Sequence, residues 1–121
     1  MKVLVADDSE LYRQQLISDL SDIPGIEVIG QAGNGKEAVN LIRSIEPDVV
    51  ILDIRMPSGN GIDVLRNIKK HRGLPVVIML TNYPYPQYRK KSIEAGADFF
   101  FDKSGEFEKV FETLQHLIHS S

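Results

Sequence analysis

The sequence contains no cysteine, no excess of basic residues and no long apolar run, and each absence excludes a class of protein. Without cysteine there are no disulfides and no thiolate chemistry, which suits a reducing compartment. Seventeen acidic residues against fourteen basic ones give a net charge of −3, so no overall positive field exists to hold a nucleic acid. No apolar stretch approaches the length of a membrane span. We therefore expect a soluble cytoplasmic protein that binds neither nucleic acid nor membrane directly.

The chain is long enough for one domain, and no composition shift marks a second. Its 121 residues are 42% hydrophobic, which suffices for a single core. Neither an internal repeat nor a low-complexity linker divides it. We expect residues 1–121 to form one domain.

Five short apolar runs alternate with segments of helical periodicity. Such runs are typical of parallel strands buried on both faces. With right-handed crossovers, the pattern predicts an α/β fold with a doubly wound five-stranded parallel sheet, order 2-1-3-4-5, in a flavodoxin-like three-layer (βα)5 arrangement. The predicted strands are residues 3–6, 26–32, 49–52, 76–80 and 99–101.

Capping residues and prolines predict the ends of the five helices. Ser9 is expected to cap a first helix to about residue 20, in which Tyr12 begins the apolar stripe. Asn34 and Glu37 form a variant capping box for the second helix. The fourth helix is expected to start at or just after Pro86. Ser104 is the expected cap of the last helix.

Polar side chains follow four of the five predicted strands. The first strand ends in Asp7 and Asp8, the third in Asp53, the fourth in Thr81, and Lys103 follows the fifth. A lone Asp after a strand is usually a turn former or a helix cap. However, the carboxyl ends of parallel strands share one edge of the sheet, where ligands bind. The sequence therefore predicts that these five side chains converge.

A cluster of three carboxylates predicts a site for a hard cation. Such groups repel one another and raise a pKa unless a cation neutralises them. Oxygen ligands without His or Cys favour Mg²⁺ or Mn²⁺. A carboxylate beside such an ion can attack a phosphoryl group in line, if the phosphoryl oxygens are stabilised. Lys103 and Thr81 are the candidates for that stabilisation.

These residues resemble the receiver domain of two-component response regulators, over essentially the whole chain. The resemblance rests on Asp7-Asp8, on residues 51–57, and on Gly61, Thr81 and Lys103. It implies a phosphorylation-driven switch that catalyses only its own phosphorylation and slow dephosphorylation. The residue roles that it implies are Asp53 as phosphoacceptor, Asp8, Asp53 and the backbone carbonyl of Arg55 as Mg²⁺ ligands, Asp7 acting through a metal-bound water, and Thr81 and Lys103 contacting the phosphoryl group.

The same resemblance implies partners. The phosphoryl donor is expected to be a sensor histidine kinase or a phosphotransfer protein, for which small acyl phosphates can substitute. Switching is expected to couple Thr81 to Phe100, and to change a surface around helix 4, strand 5 and helix 5. The output is either an unknown protein or a C-terminal effector domain outside this sequence. A phosphorylation-dependent homodimer is also compatible with the family.

Three residues depart from the family pattern. Phe100 stands where the family often has Tyr, so it lacks the hydroxyl that would bond to a neighbouring loop. Asn82 is bulkier than the usual small residue beside Thr81, which predicts a change in phosphoryl lifetime. Ser104 replaces a proline that often follows a cis bond, and without proline a cis peptide costs about 2.5 to 4 kcal/mol. We expect these positions to affect rate and switching.

Three of the four tyrosines, Tyr83, Tyr85 and Tyr88, lie within six residues and are followed by Arg89. Aromatic residues and Arg are favoured at interfaces. This stretch is therefore a candidate partner surface, and the alternative is that its two prolines only shorten the helix.

Other functions remain open from the sequence. The chain could be the receiver part of a longer DNA-binding transcription regulator, or a Mg²⁺-dependent phosphatase that passes through the same aspartyl phosphate. Residues 30–36 also match a phosphate-binding loop, G-x-x-x-x-G-K, but Glu37 follows where a hydroxyl is needed. Residues 33–38 match G-x-G-x-x-A of dinucleotide-binding proteins, which leaves Asp7-Asp8 and Lys103 without a role.

Overall fold

The computed structural model describes residues 1–68 and 70–120, and strands and helices alternate along it. No helix in these two ranges is long and apolar enough to cross a membrane. The elements are β1 (Lys2–Ala6), α1 (Glu10–Ser21), β2 (Glu27–Ala32), α2 (Gly35–Ile45), β3 (Val49–Leu52), α3 (Gly61–Asn67), β4 (Val76–Thr81), α4 (Pro86–Glu94), β5 (Phe99–Asp102) and α5 (Phe107–His119).

All strand pairs are parallel, and their order is β2-β1-β3-β4-β5. The predicted doubly wound sheet and its strand order are confirmed. Ala6 pairs with Leu52 in neighbouring strands, so the residues that follow β1 and β3 leave the sheet side by side. Thr81 pairs with Asp102 at the same edge. The register therefore brings the ends of β1, β3, β4 and β5 to one edge.

Successive residues of the strands point to opposite faces of the sheet, and an apolar layer packs on each face. Leu4 and Met79 pack on the side of α2 and α3, while Val5 and Ile51 pack on the side of α1 and α5. Every residue of β3 is buried. Apolar side chains on both faces explain why the strands read as continuous hydrophobic runs.

Most of the predicted helix ends are found. Ser9 caps α1 by accepting a hydrogen bond from the Tyr12 N–H, and α4 begins at Pro86. Asn34 caps α2 by accepting from the Glu37 N–H, but the bond that would complete a capping box is absent among the hydrogen bonds of the described residues. A full capping box occurs at α3 instead, where Asn60 and Asp63 each bond to the other's backbone.

The predicted cap of the last helix is wrong. α5 begins at Phe107 with Glu106 at the cap position, and the Glu106 side chain makes no capping hydrogen bond. Ser104 instead donates from its N–H and its hydroxyl to Asp102 Oδ1, both at 2.9 Å. The Ser104 hydroxyl is therefore used in the turn that follows β5, three residues before the helix starts.

Gly61 lies so close to the backbone of residue 53 that no residue with a side chain would fit at this position without a shift of the backbone. A Cβ atom at position 61 would stand 2.1 Å from the Asp53 carbonyl oxygen. The Gly61 N–H donates to the Ile54 carbonyl oxygen at 2.7 Å. The first turn of α3 thus presses against the backbone that carries Asp53.

We predict that Gly61→Ala lowers the free energy of unfolding by about 2 kcal/mol or more, because the added methyl must displace backbone. Urea denaturation measures the effect. Gly105→Ala is the matched control, since its nearest non-neighbouring atom would lie at 3.9 Å. Equal unfolding midpoints for the two variants would contradict the prediction.

Candidate functional site

Three carboxylates meet at the carboxyl edge of the sheet, as the sequence predicts. One oxygen atom from each of Asp7, Asp8 and Asp53 lies within 4.8 Å of the others. Asp7 and Asp53 are buried, at 4% and 6% exposure, whereas Asp8 is exposed. The Asp53 N–H donates to the Ala6 carbonyl oxygen at 3.0 Å, which continues the β1–β3 pairing one residue beyond β3. The sheet itself therefore positions the two buried carboxylates.

Lys103 joins the two buried carboxylates. Its Nζ lies 2.6 Å from Asp7 Oδ2 and 3.0 Å from Asp53 Oδ2, and its side chain is 6% exposed. The Lys103 N–H donates to the Thr81 carbonyl oxygen at 2.9 Å, which holds the residue beside β4. One ammonium group among three carboxylates leaves the site with an excess of negative charge.

The electrostatics of the site favour a bound cation. Burial raises the pKa of the Asp53 carboxyl, and the negative charge of Asp7 raises it further, although Lys103 opposes both effects. Burial alone would lower the pKa of the Lys103 ammonium, but its hydrogen bond to Asp7 and the charge of Asp53 outweigh this and raise it. Lys103 therefore stays positively charged, but its charge does not fully offset the cost of burying an ionised Asp53 beside Asp7.

The donor set fits a hard divalent ion. All three side chains offer carboxylate oxygens, and no His belongs to this cluster. Asp53 Oδ1 accepts from the Ile54 N–H at 2.7 Å, and Asp7 Oδ1 accepts from the Ser9 N–H at 2.9 Å. In the described part of the chain no hydrogen bond is made to the Asp8 carboxylate. Asp8 is thus the carboxylate with the most freedom to bind an ion.

Thr81 lies at the same edge, but its hydroxyl makes a different contact. The residue is fully buried at the end of β4, and Thr81 Oγ1 accepts from the Tyr83 N–H at 3.1 Å. This bond leaves the hydroxyl proton for another acceptor. The structure thus places Thr81 where its hydroxyl is tied to the loop between β4 and α4.

Phe100 is buried and lies under an arginine that the sequence did not single out for this role. The side chain is 3% exposed, and the Arg89 guanidinium carbon lies 4.8 Å from the centre of its ring. The Arg89 guanidinium also lies 3.9 Å from a carboxylate oxygen of Glu106. No local pattern in the sequence signals the contact with Phe100, because Arg89 lies in α4 and Phe100 in β5.

The tyrosine stretch forms a connected aromatic patch beside the site. Tyr85 lies 6.2 Å from Tyr83 and 5.6 Å from Tyr88, measured between ring centres, and its side chain is 45% exposed. The exposed Arg55 side chain reaches over the Tyr83 ring, with its guanidinium carbon 3.7 Å from the ring centre. Arg55 therefore links the loop after β3 to the loop after β4.

Asn82 and Ser104, the other departures from the family pattern, are both exposed. The cis peptide bond within the two described ranges precedes Pro75, so the bond between Lys103 and Ser104 is trans. The geometry of the loop after β5 is consequently set by the bonds of Ser104 to Asp102.

The sequence before α2 that matches a phosphate-binding loop packs against the backbone of residues 57–59. A Cβ atom at Gly35 would stand 2.0 Å from the Gly59 carbonyl oxygen, and the Gly35 N–H donates to the Pro57 carbonyl oxygen at 3.0 Å. This packing occupies the start of α2, where a nucleotide phosphate would have to bind. Neither nucleotide motif is therefore supported.

Residues 3–115 match the sequence model of the response regulator receiver domain. The chain is 38% identical over 125 residues to a protein-glutamate methylesterase/protein-glutamine glutaminase of Alkalilimnicola ehrlichii, covering 98% of this chain and 32% of that protein. It is 33% identical to an uncharacterized transcriptional regulatory protein, YvfU, of Bacillus subtilis, covering 98% of this chain and 59% of that protein. The chain thus spans about a third to three fifths of the length of these relatives.

Solved structures show the same fold. The response regulator domain of Thermotoga maritima CheB superimposes with a TM-score of 0.84 and 32% sequence identity, over 99% of this chain and 94% of that one. The family match, this superposition and the converging aspartates agree with one another. The chain belongs to the receiver domain family of two-component response regulators.

Proposed function

We propose that Asp53 is the phosphoacceptor of a switch that takes its phosphoryl group from a phosphohistidine, on a sensor histidine kinase or a phosphotransfer protein. The observation that carries the proposal is the convergence of Asp7, Asp8 and Asp53 with the Lys103 ammonium at one edge of the sheet. This arrangement offers a nucleophile, a cation site and a fixed positive charge together.

Asp8, Asp53 and the backbone carbonyl of Arg55 are proposed to hold Mg²⁺ or Mn²⁺, with Asp7 acting through a water. When bound, the ion supplies positive charge for the phosphoryl oxygens. Two of the three side chains are buried and already hydrogen-bonded, so little reorganisation of the protein is needed.

In the proposed reaction, an Asp53 carboxylate oxygen attacks the phosphorus atom in line. The new O–P bond forms as the P–N bond to the donor histidine breaks, and the bonding electrons leave with the imidazole. Lys103 pairs with one phosphoryl oxygen, and Thr81 donates its hydroxyl proton to another. Loss of the phosphoryl group to water resets the domain.

A turnover enzyme is less well supported than a switch. A phosphatase would need a general acid beside Asp53. The three histidines of this chain do not provide a general acid. His116 and His119 lie in the last turn of α5, and His71 precedes β4 at the opposite edge of the sheet. The methylesterase name belongs to a relative of which this chain covers 32%. We propose that the domain itself catalyses only its own phosphorylation and slow dephosphorylation.

The proposed output runs through the surface formed by α4, β5 and α5. Its partner is either a separate protein or an effector domain joined after the receiver, and a phosphorylation-dependent homodimer would use the same surface. The transcriptional regulatory relative makes a longer DNA-binding regulator the second candidate. We place the domain in the cytoplasm, where the family's phosphoryl donors would meet it, with no direct contact to nucleic acid or membrane.

We predict that incubation with Mg²⁺ and a small acyl phosphate adds one phosphoryl group to the protein, as seen by intact mass. The Asp53→Asn variant should gain none, because it lacks the nucleophile. Asp48→Asn is the control, since Asp48 is an Asp next to the opposite end of the same strand. Absence of an adduct on the wild type, with acyl phosphates and with phosphorylated kinases alike, would refute the proposal.

We predict that Mg²⁺ raises the unfolding temperature of the wild type, because the ion offsets the excess negative charge of the site. Asp8→Asn should weaken the apparent affinity for Mg²⁺ by at least about tenfold, since it removes one of the carboxylates proposed to bind the ion. Asp22→Asn, an exposed acid at the other end of α1, should leave the affinity unchanged. A Mg²⁺ titration followed by thermal unfolding measures all three, and equal affinities for the two variants would contradict the assigned site.

The switch is proposed to start at Thr81. When the hydroxyl turns to the phosphoryl group, its bond with the Tyr83 N–H is lost, which frees the loop that carries Tyr83 and Tyr85. Phe100 is already buried before phosphorylation, so packing against Arg89, rather than a tyrosine hydroxyl, would transmit the change to β5.

We predict that phosphorylation shifts the backbone amide resonance of Tyr83 and those of neighbouring residues 82–91 in NMR spectra. In Thr81→Val these shifts should largely disappear, although the variant still accepts a phosphoryl group more slowly. Thr113→Val, which removes a hydroxyl from the surface of α5, should behave as the wild type. Unchanged shifts in Thr81→Val would show that the hydroxyl does not start the switch.

A further inference from the structure

Tyr12 contacts the site, although neither the family pattern nor the mechanism above uses it. The residue lies in the first turn of α1, and the Lys103 Nζ atom lies 4.0 Å from the centre of its ring. Its hydroxyl is one of two buried side-chain polar atoms that have no hydrogen-bond partner in the described part of the chain. The ring face, and not the hydroxyl, therefore makes the contact with the site.

The ring completes the surroundings of the Lys103 ammonium. An ammonium group has three N–H donors, and Asp7 and Asp53 accept from it at 2.6 and 3.0 Å. The Tyr12 ring covers a further side, and the lysine side chain is left 6% exposed. An aromatic face attracts a cation strongly where water is excluded.

We propose that Tyr12 is a positioning residue for phosphoryl transfer, whose ring face keeps the Lys103 ammonium in the site while the carboxylates change partners. The proposal rests on the function proposed above. During the reaction Asp53 becomes an acyl phosphate, a mixed anhydride, and Lys103 exchanges its contact with Asp53 Oδ2 for a phosphoryl oxygen. The attraction of the ring does not depend on the charge of any carboxylate, so it persists through that step.

The ring is held firmly enough for this role. Phe107 packs edge-on against Tyr12, with ring centres 6.2 Å apart and planes at 82°, and Phe111 supports Phe107 at 5.1 Å. The Tyr12 backbone N–H is bonded to the Ser9 cap. Burial raises the pKa of the Tyr12 hydroxyl, and the charges of Asp7 and Asp53 raise it further, so the phenol stays neutral. Position 12 thus presents a fixed, uncharged aromatic face.

Two substitutions separate the ring from the hydroxyl. Tyr12→Phe keeps the aromatic face and removes a buried hydroxyl without a partner, so phosphorylation by a small acyl phosphate should stay within about twofold of the wild-type rate. Tyr12→Leu keeps an apolar side chain but loses the aromatic face, and should slow phosphorylation roughly tenfold. Intact mass at timed intervals gives the rates, and thermal unfolding shows that each variant is folded.

A series of phenylalanines with increasing ring fluorination at position 12 gives a second test that does not depend on Tyr12→Leu folding. Fluorine weakens the negative face of the ring at nearly constant shape, so the rate should fall stepwise along the series. A purely structural role for Tyr12 predicts no trend. A flat series overturns the proposal, and so does equal slowing in Tyr12→Phe and Tyr12→Leu, which would assign the effect to the hydroxyl.

A measurement without metal or phosphoryl donor follows Lys103 itself. Nitrogen-15 NMR of the lysine ammonium groups should show slow exchange of the Lys103 protons with water in the wild type and in Tyr12→Phe. Exchange should be faster in Tyr12→Leu, and an unchanged rate would count against the proposal. If the wild type accepts no phosphoryl group, the proposed function and this inference fail together. If it does and position 12 has no effect, only the inference fails.

Discussion

The ion pairs of Lys103 with Asp7 and Asp53 are the interaction on which the arrangement of the site depends. They join residues 96 and 50 positions apart in the sequence, at 2.6 and 3.0 Å, and all three side chains are nearly buried. A buried charge that loses its partner is strongly unfavourable. The ends of β1, β3 and β5 are therefore held together by charge as well as by the sheet.

The loops around these ion pairs connect the site to the outer surface. Gly61 lets α3 press on the backbone of Asp53, and Thr81 holds the loop after β4 through the Tyr83 N–H. Arg55 covers the Tyr83 ring from the loop after β3. Two direct contacts to Tyr83, from Thr81 and from Arg55, therefore join the site to the tyrosine patch, and the proposed switch would act through them.

The wrong cap of α5 has a local cause, because the Ser104 hydroxyl bonds to Asp102, two residues earlier, instead of capping the helix. The other contacts that the sequence did not predict join elements distant in sequence. Tyr12 was placed correctly on the inner stripe of α1, but its ring also meets an ammonium that lies 91 positions later. Arg89 has an ordinary surface position in the helical pattern, and only the packing of β5 puts Phe100 beneath it.

The sequence by itself determined where the five strands lie and which polar residues follow them, because apolar periodicity and strand-end residues are local properties of the chain. Which oxygen meets which ammonium was decided by tertiary structure, since Lys103 reaches Asp7 only after four crossovers have formed the sheet. The aromatic face on Lys103, the arginine on Phe100 and the closed approach of Gly35 to Gly59 arise in the same way. Each depends on two segments meeting in space, and neither segment carries that information alone.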